Sequence, residues 1–144
     1  LFAKQLGWYH CVPEGEKMSR SEKLLKQTPE LELSLPQCLA EYLVLLFYEV
    51  GFCEQGNMGA KPLSWTEIFC WKELTQRDLN SWEITILRDM SRAYVGSVSN
   101  TDKYAPKPYV EDLIVDKEKQ AAVIEDFFEM MLAQQNSKEI IIED

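Results

Sequence analysis

From Ser64 to Val95 the apolar positions recur at helical spacing in two short bursts, and each burst opens on a capping signal. Ser64 is followed three residues later by Glu67, and Asn80 three residues later by Glu83. In both places a short polar side chain can accept from the orphan amides of a first turn. The carboxylate three residues on can return a hydrogen bond and favours the positive end of the helix. The pattern predicts helices over Trp65–Leu74 and Ser81–Val95, joined closely by the polar TQRDL connection. In the second, Ile84, Leu87, Ser91 and Tyr94 share one face, with Ile86, Met90 and Ala93 beside it, and Gly96 is the expected stop.

Helical patterning continues on the N-terminal side of this hairpin and beyond it. SRSEKLLKQ predicts a short polar helix from Ser19, capped at Ser21, that ends before Pro29. TPELELSLP is an extended bridge. Ser34 and Pro36 then predict the start of the most hydrophobic helix, running through QCLAEYLVLLFYEV to a stop at Gly51. Leu39, Leu43, Leu46 and Val50 keep one stripe of it, while Tyr42, Leu45 and Phe47 carry apolar surface almost all round. Such a helix is central in its bundle or covered by another molecule. Its apolar run also suits a buried strand, but the caps and the length favour a helix. FCEQGNMGAKPL, with two glycines and a proline, reads as a loop, as does VSNTDKYAPKPY. A last amphipathic helix is predicted over Lys117–Gln134, with Ala121, Ile124, Phe127, Phe128, Met131 and Leu132 as its stripe. The expected fold is therefore all-α: a small bundle of four to five short helices with a capped hairpin, and a separate C-terminal amphipathic helix. Residues 1–18 read as a connector or the fragment of an upstream region, 19–96 as the helical domain, 97–116 as a proline-containing linker, and 117–144 as an acidic helix and tail.

At 144 residues the chain has room for one domain with a sizeable core. Its longest apolar run, Tyr42–Tyr48, is far too short to span a membrane, and the first residues lack the basic-then-apolar order of a signal peptide. A start at Leu1 suggests a fragment or mature piece of a longer product, and a cytosolic setting is expected. The net charge of −9 works against binding the phosphates of nucleic acid. Acidic residues concentrate in 110–144, where ten oppose three basic ones; a solvated face or a basic protein partner accounts for them.

The four cysteines, Cys11, Cys38, Cys53 and Cys70, form no C-x-x-C pair, and His10 is the single histidine. They read as structural thiols rather than metal ligands. No catalytic or phosphate-binding motif is present, and a histidine-activated nucleophile would have to be assembled from distant parts. Adjacent carboxylates such as Glu111/Asp112 and Glu125/Asp126 diverge by about 100° on a helix, so they do not converge on one bond. No catalytic, cofactor or metal site is expected. The capped hairpin has the lengths of a DNA-binding helix-turn-helix, but Arg88 and Arg92 are the only basic residues of its second helix, and Glu83 and Asp89 oppose them. Trp82, Leu87 and Tyr94 are assigned to the core. Phe47, Tyr48 and Phe52, with Trp65 and Trp71, are the candidate exposed patch for a protein partner.

Taken in order, these features resemble the tail assembly chaperones of long-tailed bacteriophages, nearest the downstream region that many phages reach by ribosomal frameshifting. The resemblance rests on Pro62, Leu63, Ser64, Trp65, Glu67 and Ile68 at the first hairpin helix, Trp82 and Glu83 opening the second, and Ala93, Tyr94 and Val95 ending it. It covers about Ser19–Val95. It implies a non-enzymatic protein of the infected host cytoplasm that binds the tape measure protein and recruits tail tube subunits, and that is absent from the finished virion. Self-association is compatible with it. A helical client calls for an apolar surface ringed by solubilising charge. A structural virion or tail connector protein, and a DNA-binding regulator, are the alternatives.

Overall fold

A computed structural model of the chain describes residues 1–109. The helix expected over 117–134, the tail at 138–144 and residues 110–116 of the proline-containing segment lie outside the described residues. The described residues form five helices and one small hairpin: α1 (Phe2–His10), α2 (Arg20–Gln27), α3 (Glu41–Val50), β1 (Glu54–Gly56), β2 (Gly59–Lys61), α4 (Trp65–Thr75) and α5 (Ser81–Val98). The fold is mostly helical rather than purely so. The segment read as a loop after Gly51 pairs as an antiparallel hairpin, Glu54 opposite Lys61 and Gly56 opposite Gly59. Two residues, Asn57 and Met58, join the strands, a short connection of the kind that antiparallel pairing favours.

The core forms where α1 and α3 meet α5. Ala3, Leu6, Leu43, Leu46, Phe47, Leu87 and Tyr94 make one buried cluster. Each large apolar side chain so enclosed contributes about 1.5–3 kcal/mol relative to exposure. The aromatic rings interlock, with Phe52 5.2 Å from Phe47 and 5.0 Å from Tyr94 between centroids. Leu87 and Tyr94 occupy the core as the sequence predicts.

Residues 1–18 are not a plain connector. α1 has no side-chain cap, and its apolar residues pack against α5. Gly7 permits the approach: a Cβ there would collide with the Tyr94 carbonyl and lie 3.0 Å from Ser97 Cβ. Cys11, fully buried, donates through Sγ to the Asn100 carbonyl at 3.2 Å. The segment after α5 folds back too. Trp8 donates to the Ala105 carbonyl, and the Tyr109 amide donates to the buried Gln5 side chain.

Three element ends differ from the sequence reading. The cap of α2 is Ser19, in a full capping box with Glu22, rather than Ser21. Only Arg20 is buried in that helix. Its guanidinium donates to the carbonyls of Trp8, Asn100 and Asp102 and lies 5.0 Å from the Trp8 ring. The hydrophobic helix α3 begins only at Glu41, with no side-chain cap. Ser34 instead belongs to an extended strap whose carbonyl accepts from the Tyr9 hydroxyl, and Leu35 packs on the core. Gly51, at φ 91°, ends the helix as expected. α5 runs through Gly96 to Val98, since Ser97 is buried and packing overrides the weak helix preference of glycine.

Candidate functional site

The caps of α4 and α5 take the form their sequences announce. Ser64 Oγ accepts from the Glu67 amide, and Asn80 accepts from the amides of Trp82 and Glu83 while the Glu83 carboxylate accepts from the Asn80 amide. Glu54 ties the hairpin to α4. Its carboxylate lies 2.6 Å from Lys61 Nζ and accepts from the Ser64 amide at 2.8 Å. The contact with Lys61 and the hydrogen bonds from Ser64 hold this carboxyl at about 2. Ser91, buried in the middle of α5, accepts from the Leu63 amide and donates to the Phe52 carbonyl, so one hydroxyl grips both flanks of the hairpin.

The expected contact residues divide. Phe47 is fully buried and belongs to the core, so it is not available to a partner. α3 packs on α5 through the core cluster, and the rings of Phe52 and Tyr94 close over Phe47. Tyr48, on the same helix, is half exposed and meets Phe52 edge-on at 5.0 Å. Phe52 is partly covered. Trp65 is half exposed, with the Arg88 guanidinium 4.6 Å above its ring. Trp71 is partly buried against the core, and its indole N–H has no acceptor among the described residues. Six residues apart on one helix, Trp65 and Trp71 point about 120° from each other. Phe47, Tyr48 and Phe52 are thus brought together, and the two tryptophans of α4 are not joined in one face.

Trp82, assigned to the core, is 56% exposed. It stands in the first turn of α5, ahead of the stretch that α1 and α3 cover. Other large apolar side chains are left outside as well: Leu39 before α3, Leu45 within it, and Phe69 and Leu74 on α4. In α4 the apolar residues surround the axis but only Ile68 is buried, so the absence of a single stripe in WTEIFCWKELT was the signal of an uncovered helix. A groove of about 530 Å³ runs between the start of α1, the strap at Pro36–Ala40 and α5, floored by Leu43 and walled by Trp82, Ile86, Met90 and Ala93.

His10 and the Tyr94 hydroxyl are hydrogen-bonded at 2.9 Å; burial lowers the imidazole from its ordinary value and pushes the phenol up to about 12. All four cysteines are free; Cys38 precedes α3, and Cys70 is exposed on α4 rather than packed. Among the described residues no three His, Cys, Asp or Glu side chains gather as a metal would require, and no helix is long and apolar enough to cross a membrane. Both arginines of α5 are engaged within the fold, Arg88 on Trp65 and Arg92 with Asp89 at 3.3 Å.

Neither the curated proteins nor the solved structures include a match to this chain. The family model described as phage tail assembly chaperone matches residues 19–96, from the cap of α2 into the last turn of α5 and more than half of the sequence. Capped hairpin, hydrophobic helix and matched segment coincide, and the chain belongs to the phage tail assembly chaperone family.

Proposed function

We propose that this protein acts in the infected host cytoplasm by reversibly holding the tape measure protein, tail tube subunits or both during tail assembly, and that it leaves before the virion is complete. One observation carries the reading. The segment matched by the family keeps Leu39, Leu45, Phe69, Leu74 and Trp82 outside a core that is already closed. Large apolar side chains on well-formed helices suit a partner's surface better than solvent. Tyr48, edge-on against Phe52, forms one candidate client contact, and Trp65 and Trp71, on different faces of α4, are separate candidates, of which Trp65 is the more accessible.

Co-expression with the tape measure protein and capture on a tagged chain tests this. We expect the pair to co-purify, and Tyr48→Ala with Trp65→Ala to reduce capture while the helical circular dichroism signal is kept. No capture of tape measure or tube protein by the unaltered chain overturns the function. Recovery of this polypeptide from purified particles would favour a tail connector instead.

A further inference from the structure

We propose that the groove between the start of α1, the Pro36–Ala40 strap and α5 docks one amphipathic helix of a different protein, an occupant carrying Lys or Arg beside its apolar stripe. This rests on the reading that the chain works by holding another polypeptide, and adds a site on the far side of α5 from Trp65. Arg88, which covers Trp65, is two residues from both Ile86 and Met90, hence about 160° around the helix from each.

Length and chemistry set the occupant. Trp82, Ile86, Met90 and Ala93 follow one another at helical spacing along the groove wall, and the span of α5 from Trp82 to Ala93 extends about 16 Å, or three turns. An apolar stripe of three turns on a partner helix matches that wall. Of the groove's lining residues, Leu39 is fully exposed and Trp82 more than half so, apolar surface that such a helix would cover.

Charge decides what flanks the stripe. Among the described residues, Asp89 is the one charged side chain lining the groove. The adjoining depression, continuous with it through Phe2 and Pro36, has Glu41 as its one charged side chain among the described residues. Among the described residues no lysine or arginine lines either. Glu41 enters no ion pair among the described residues, and Asp89 holds Arg92 by a single exposed contact, which a closer cation can replace at little cost. A second copy is a poor occupant: the chain carries −9, and a two-fold pairing through this face would bring Asp89 towards its own twin. A basic-flanked helix gains where a copy is repelled.

Two synthetic helical peptides with the same leucine stripe, one flanked by lysine and one by glutamate, are titrated calorimetrically into the full chain. We expect the lysine-flanked peptide to bind more tightly by on the order of tenfold. Asp89→Lys should erase that preference, and Trp82→Ala or Leu39→Ala should weaken binding by roughly tenfold; these side chains are exposed, and circular dichroism verifies that the fold persists. Equal binding of the two peptides, or affinity indifferent to Trp82→Ala and Leu39→Ala, overturns the proposal. Dimerisation in sedimentation that Trp82→Ala abolishes overturns it in favour of a second copy. Capture of the tape measure protein separates the two claims: if the unaltered chain captures nothing the function fails, whereas undiminished capture by Trp82→Ala and Leu39→Ala refutes the groove alone.

Discussion

α1 meets α5 through Ala3, Leu6 and the bare backbone of Gly7, while α4 buries a single side chain, Ile68, and offers Trp65 for Arg88 to stack on. The first helix lies outside the segment that the family model matches; the second lies inside it and carries its clearest motif. Capping and propensity say that a helix forms, and say nothing about how firmly it is fastened. In this molecule the weakly announced helix anchors the core and the strongly announced one stands half free. A helix that keeps Phe69 and Leu74 in solvent has surface to give to a partner.

Substitutions graded along this contrast should break it or sharpen it. Phe47→Ala, in the shared core, should cost about 3–5 kcal/mol in urea-monitored unfolding; a loss below about 1 kcal/mol would mean that the interlocked rings do not hold α3. Gly7→Ala should cost about 1–3 kcal/mol by forcing α1 away from α5, and a neutral result would show the seam to be loose. Asn80→Ala removes a full capping box and should cost about 1 kcal/mol. Glu54 gives a pH signature. Its folded value, about 2, lies below the ordinary 4.5, so its stabilisation is complete above pH 4.5 and fades as pH falls towards 2. Amide exchange at the start of α4 should quicken over that range, and Glu54→Gln should flatten the dependence. Phe69→Ala should be smallest, within about 0.5 kcal/mol, while a large loss would reveal that α4 is fastened after all.

Much of α4 and α5 was legible because capping is local chemistry: Ser64, Asn80 and their glutamates act within one turn. The face of α5 that carries Leu87 and Tyr94 could likewise be read from spacing. What escaped depends on distant neighbours. The core role of α1 follows from Gly7 meeting Tyr94 and Ser97, residues far along the chain. The late start of α3 follows from a strap tied by Tyr9 to Ser34. Trp82 and Phe47 exchanged their expected places for the same reason. Hydrophobicity ranks both as core candidates, but only the arrangement of α1, α3 and α5 decides that one is enclosed and the other is not. The hairpin was hidden by its glycines, which read as loop until Glu54 is seen opposite Lys61.

The grip of Ser91 on Phe52 and Leu63 has a practical consequence. Because the hairpin is clamped at its base, its tip at Asn57 and Met58 is a natural splice point for an epitope or a fluorophore, and Met58 is fully exposed there. A reporter inserted at that turn would occupy an exposed tip and leave the hydrogen bonds of the clamped base in place.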